Sequence, residues 1–125
     1  MFSDSKKIFD ITESIVDKEY NLIWCTYDLL EKNRFPYADV VILHFDRAMA
    51  RESTFESIVK VKGKLGHMTP ILTLIEGGTP QEIYSMLKVG AYDYLESADD
   101  PEKYKKKIEE LILWDWYIKK RGHKK

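Results

Sequence analysis

Short β-branched runs alternate along the chain with amphipathic segments, the pattern of a parallel sheet covered by helices on both faces. Val40-Val41-Ile42-Leu43 and Ile71-Leu72-Thr73-Leu74-Ile75 are nearly continuous apolar runs, as central strands buried on both sides require. Leu22-Ile23-Trp24-Cys25-Thr26 and Ala91-Tyr92-Asp93-Tyr94-Leu95 are weaker, flanking strand candidates. Between the central runs, Phe55, Ile58, Val59 and Leu65 recur near helical spacing and predict a crossover helix from about Ser53 to Leu65. Thr79-Pro80-Gln81-Glu82 combines a hydroxyl cap, a proline at the first helical position and a carboxylate placed to reach back to the cap. That helix should run from Pro80 to Val89, bury Ile83, Met86 and Leu87, and end at Gly90. Asp100-Pro101-Glu102 repeats the start signal, and Tyr104, Ile108, Leu111, Ile112 and Ile118 give a long last helix its apolar face.

The first twenty residues admit two readings. In one, Lys7-Ile8-Phe9-Asp10 is a first strand with Asp10 as a metal-facing acid, and Thr12 to Glu19 is a short crossover helix. In the other, which the helical spacing of Ile8, Ile11, Ile15 and Val16 favours, the segment is one helix capped from Asp4 or Ser5 and no first strand remains. The second reading exposes or re-pairs the edges of the neighbouring strands.

Composition narrows the class. The 125 residues carry 20 Lys plus Arg against 21 Asp plus Glu, a formal net charge of -1, which suits one soluble domain and supplies no bulk positive field for coating nucleic acid. Lys119, Lys120, Arg121, His123, Lys124 and Lys125 form a basic tail, read as complementing a helix dipole more than as a binding patch. The single cysteine, Cys25, permits no internal disulfide and no multi-thiolate site. No apolar run approaches a membrane span, and the start lacks a signal peptide's basic and apolar regions, so a cytoplasmic location without membrane partners is expected. There is no Gly-x-Ser-x-Gly string, Glu76-Gly77-Gly78-Thr79 is not a P-loop, and the three histidines lack nucleophile partners, so no stand-alone catalysis is expected.

Three strings carry a family resemblance: Ala38-Asp39-Val40-Val41-Ile42-Leu43, Thr69-Pro70-Ile71-Leu72-Thr73-Leu74 and above all Leu87-Lys88-Val89-Gly90-Ala91-Tyr92-Asp93-Tyr94-Leu95. Over about Lys18 to Leu113 the chain resembles the receiver domain of two-component response regulators. The resemblance implies a doubly wound, flavodoxin-like parallel sheet, here with its first strand short or absent, filling residues 1–125 as a single domain with a basic tail from about Lys119. It also implies a phosphorelay role, in which an acidic pair holds Mg²⁺, an aspartate takes a phosphoryl group, and a hydroxyl and a lysine meet its charge. Counted from Pro70, the hydroxyl position falls on Ile75; counted from Tyr94, the lysine position falls on Ser97, so both phosphate donors are substituted. Tyr94 falls on the aromatic switch position. The phosphoacceptor register is open between His44, at the end of the apolar run, and Asp46, in a string Asp46-Arg47-Ala48-Met49 similar to the family's Asp-x-x-Met.

Bland readings stand beside these. His44, with no second histidine or cysteine near, suits a hydrogen-bonded structural residue, and Asp46 suits a loop or cap after a strand. Trp114, Trp116 and Tyr117 cannot all face one core, so at least one should be exposed or covered by a partner. The expected function is a degenerate receiver without conventional phosphorylation and without a cofactor. It would bind a signalling partner, or itself, through the face of the family's fourth helix, fifth strand and fifth helix, using Tyr94, Trp114, Trp116 and Tyr117. The alternative is a working receiver phosphorylated on Asp46 with Mg²⁺.

Overall fold

A computed structural model describes residues 1–16, 18–50 and 54–122. Ser53, the expected start of the crossover helix, and the tail residues His123, Lys124 and Lys125 lie outside the described residues. In chain order the elements are α1 (Lys6–Val16), α2 (Tyr27–Glu31), β1 (Val41–Phe45), α3 (Arg47–Ala50), α4 (Thr54–Leu65), β2 (Ile71–Ile75), α5 (Pro80–Val89), β3 (Asp93–Leu95) and α6 (Pro101–Gly122).

The three strands form a parallel sheet in the order β1-β2-β3, in register from Val41 opposite Ile71 to Phe45 opposite Ile75, and from Leu72 opposite Asp93 to Leu74 opposite Leu95. Beyond β1 the sheet continues through single residues. Phe2 bridges Leu43 on one side and Cys25 on the other, both parallel. Phe2 N–H donates to the Ile42 carbonyl at 2.9 Å, His44 N–H to Phe2 at 2.9 Å, Ser3 N–H to Cys25 at 3.0 Å and Cys25 N–H to Met1 at 2.8 Å. Of the two readings of the first twenty residues the favoured helix holds, and the strand at Lys7 to Asp10 is corrected. Lys7 to Asp10 is helix, while the role of a first strand falls to Met1-Phe2-Ser3, which carries no sequence periodicity because it is only three residues long.

Each sheet face has its own core. Val41, Leu43, Phe45, Ile71 and Ile75 pack with Phe2, Tyr27 and Leu30 of α2, Ile58 and Val61 of α4, and Ile83 and Met86 of α5. Ile42, Leu72, Leu74 and Leu95 pack with Val16 of α1 and Tyr104, Ile108 and Leu111 of α6. All five residues of β1 and of β2 are buried, which is why both strands read as apolar runs interrupted only by His44 and Thr73. The edge strand β3 is partly exposed.

The helix ends follow their signals. Thr79 accepts from Glu82 N–H at 3.2 Å while Thr79 N–H donates to the Glu82 carboxylate at 2.8 Å, and Gly90, at φ 132°, ends α5 in a conformation that a Cβ would strain. Asp100 accepts from Lys103 N–H at 3.2 Å at the start of α6. One expected core face is corrected. Ile58 is buried as expected and Leu65 packs against the core, but Phe55 and Val59 are exposed on α4 and Val61 joins Ile58 against the sheet in their place. Among the described residues no helix is long and apolar enough to cross a membrane.

On the second face, α1 is tied to α6 by a buried polar contact. Thr12 Oγ1 donates to the Ile8 carbonyl at 2.8 Å, which leaves it to accept from the Tyr104 hydroxyl at 2.6 Å. Burial pushes the Tyr104 hydroxyl above its usual pKa, so it remains a donor at all ordinary pH. Thr12→Val strands that buried donor and should lower the unfolding free energy by about 1–3 kcal/mol, whereas Tyr104→Phe, which strands only an acceptor already bonded elsewhere, should cost about 1 kcal/mol. Urea midpoints at unchanged slope check the order, and equal costs would contradict it.

Candidate functional site

At the carboxyl end of the sheet, the residue 1–3 segment, β1 and β2 deliver three polar side chains to one point. Ser3 ends the first segment, His44 is the penultimate residue of β1 and Glu76 follows β2 directly, its N–H held by the Phe45 carbonyl at 2.9 Å. Ser3 and His44 are buried, and the Glu76 side chain is 40% exposed. Ser5 N–H donates to Ser3 Oγ at 3.0 Å, Ser3 Oγ lies 2.9 Å from His44 Nδ1, and His44 Nε2 lies 2.5 Å from Glu76 Oε2. The carboxylate only accepts, so Nε2 carries a proton and donates to it, while Nδ1 faces the Ser3 hydroxyl, which also lies 3.4 Å from the Ser5 carbonyl. The result is a closed chain from backbone N–H through hydroxyl and imidazole to carboxylate.

Neighbouring groups hold this chain from both sides. Tyr27 donates its hydroxyl to the His44 carbonyl at 2.7 Å, and Trp24 Nε1–H donates to the Ser3 carbonyl at 2.7 Å. Tyr27 N–H, the first of α2, donates to Asp4 at 3.0 Å, so the residue after Ser3 caps a second helix. The Tyr27 phenol is raised well above its usual pKa, first by burial and then by the charges of Asp4 and Asp46, against the opposing effect of its bond to His44. Two carboxylates at neighbouring strand exits thus bear on one phenol.

Several expectations are met by different geometry. His44 is not at the strand end: β1 continues to Phe45, so the histidine is inside the strand, and both ring nitrogens are bonded. Asp46 is the first residue past the strand, exposed, and its Oδ1 accepts from Met49 N–H at 2.9 Å as the cap of α3. Asp10 sits on an exposed face of α1 and pairs with Lys6 at 3.0 Å, away from the strand ends, because the segment around it is helical. Ile75 is fully buried in the core, pressed so closely against Gly78 that a Cβ there would meet it at 2.9 Å. Ser97 is exposed and its Oγ accepts from Asp99 N–H in the turn before α6. Among the described residues no three His, Cys, Asp or Glu side chains group as a metal would need.

The expected interaction face divides in two. Tyr94 is half-buried and, with Ser97, lines a polar cleft between β3 and α6, closed by Lys107 on Asp93 at 2.5 Å, a contact that raises the Lys107 pKa. Trp114, Trp116 and Tyr117 are all exposed and gather instead with Tyr92 and Leu113 around a depression of about 480 Å³ on α6. The sequence reading missed Ser3, Asp4, Tyr27 and Glu76 as members of the strand-end cluster. The available signal was Ser3-Asp4 immediately before a capped helix, which is what a short strand leaving a sheet would show.

Ser3→Ala leaves His44 Nδ1 and the Ser5 N–H without a buried partner and should cost about 1–3 kcal/mol of stability. Glu76→Gln, at a position open to water, should cost less than about 1 kcal/mol. Chemical denaturation of the two variants side by side measures this, and a larger loss for Glu76→Gln would show that the carboxylate, not the hydroxyl, anchors the chain. Compared with protein-family models, with curated proteins and with solved structures, the chain matches none.

Proposed function

We propose that this chain is a receiver-like signalling domain whose phosphoryl pocket has been replaced by a structural hydrogen-bond chain, and which acts by binding proteins rather than by phosphorylation. The fold supports a flavodoxin-like reading through its spatial order: residues 23–25, residues 1–3, β1, β2, β3, with α1 and α6 on one face and α2, α4 and α5 on the other. The observation that carries the functional reading is the Ser3–His44–Glu76 chain at the carboxyl edge of the sheet, the edge where an open α/β sheet takes its ligands. Ile75 gives that edge no hydrogen-bond donor, Ser97 offers only a short neutral hydroxyl in place of a cation, and Glu76 puts a negative charge beside it. What the domain offers a partner lies elsewhere, on α6 and the turn into β3, where Tyr92, Trp114, Trp116 and Tyr117 are exposed.

One observation favours a second reading, a receiver phosphorylated on Asp46. That carboxylate is exposed at the strand exit, and Asp4 and Asp46 act on the same phenol from adjacent segments. The two readings separate on incubation with acetyl phosphate and Mg²⁺ followed by intact-mass measurement. No adduct is expected. An adduct that disappears in Asp46→Asn would overturn the proposal in favour of the second reading.

A further inference from the structure

α6 has two faces. Its inner face buries Tyr104, Ile108 and Leu111 against the sheet. Its outer face carries Glu109, Leu113, Trp116, Tyr117 and Lys120, spaced by four, three, one and three residues, which is the stripe one helix presents to another. Leu113 is 65% and Trp116 55% exposed, the opposite of what this domain alone would select. The patch is also held in shape. Trp114 stacks on Tyr92 at 5.8 Å and 19° and on Tyr117 at 5.8 Å and 22°, and Lys120 Nζ lies 4.8 Å over the Trp116 ring. Aromatic side chains already fixed by their neighbours lose little freedom when a surface closes over them.

Charge identifies the occupant. Glu109 and Glu110 stand about one turn before the aromatic group and Lys120 about one turn after it. We propose that the outer face of α6 pairs antiparallel with the same face of a second copy of this chain, about a two-fold axis that crosses the pair at the height of Asp115 along the helix. That operation sets Leu113 against Tyr117 of the other copy and Glu109 beside its Lys120, on the same flank of the pair. Parallel pairing would instead set Glu109 against Glu109. An anionic lipid surface would meet the Glu109–Glu110 pair with repulsion. The proposal rests on the reading of the domain as an interaction module and names its partner.

Sedimentation velocity of the full chain over a concentration series tests this, with circular dichroism confirming the fold of each variant. Wild type should show a monomer–dimer equilibrium, and Trp116→Ala should weaken it by about tenfold or more. Glu109→Lys and Lys120→Glu should each weaken it, and the double variant should recover to within about threefold of wild type. A monomer at every concentration, a dimer indifferent to Trp116→Ala, or no recovery in the double variant would overturn the pairing. A monomer that pellets with phosphatidylserine vesicles and loses that property in Trp116→Ala would overturn it in favour of lipid. The phosphoryl assay stays independent: a monomer without an adduct removes only the pairing, and a dimer with an adduct removes only the unphosphorylated reading.

Discussion

Four backbone hydrogen bonds made by Met1, Phe2, Ser3 and their neighbours hold this structure in its arrangement. Without them β1 would end the sheet with an unpaired edge, and the 23–25 segment would have nothing to join. So short a strand gains little from its ladder alone. Phe2 supplies the remainder: it is 3% exposed, packs edge-on to Phe35 at 5.1 Å and lies 6.2 Å from Tyr27. Because α1 begins at Lys6, the position of the first three residues also fixes where α1 starts and hence how it meets α6.

The same three residues determine the polar chemistry of the sheet's carboxyl edge. Ser3 reaches His44 because Phe2 is in register with Leu43, and Glu76 reaches the other ring nitrogen because Phe45 is in register with Ile75. A buried imidazole with one partner would be costly, but with two it becomes a tie between three consecutive segments of the sheet. A site built this way is stiff and occupied by its own side chains. At this edge the Ser3 hydroxyl and both His44 ring nitrogens are satisfied from within the chain.

What was legible in the sequence follows the same physics. Val41 to Leu43 and Ile71 to Ile75 could be read because both faces of each strand are covered, leaving no polar residue to interrupt the run except Thr73, whose hydroxyl donates to the Asp93 carbonyl at 3.3 Å. Thr79-Pro80 and Asp100-Pro101 could be read because capping is local chemistry. The segments Met1–Ser3, α2 and α3 are too short for a period to register, and they exist through partners distant in sequence. The strand-end cluster was hidden for that reason: Ser3 and His44 are 41 residues apart, and His44 and Glu76 are 32. Asp10 misled because a carboxylate after an apolar residue looks alike at a strand end and on an exposed helix turn. Phe55 and Val59 misled because an apolar residue at helical spacing does not reveal which side of the helix meets the sheet.

The exposed aromatics of α6 follow from a mismatch of lengths. Twenty-two residues of helix extend about 33 Å, while a five-residue strand spans about 17 Å. The sheet can cover one half of the helix, and the fully buried positions Tyr104, Ile108 and Leu111 lie in that half. The far half is held by charge instead: Lys119 binds Asp39, ahead of β1, and Asp115 at 3.2 Å, and these bonds raise its pKa, the Asp39 bond foremost. An ionic clasp fixes the helix without covering its outer side. Leu113, Trp116 and Tyr117 therefore stand on the half of the helix that the sheet does not reach, and their outer side stays exposed.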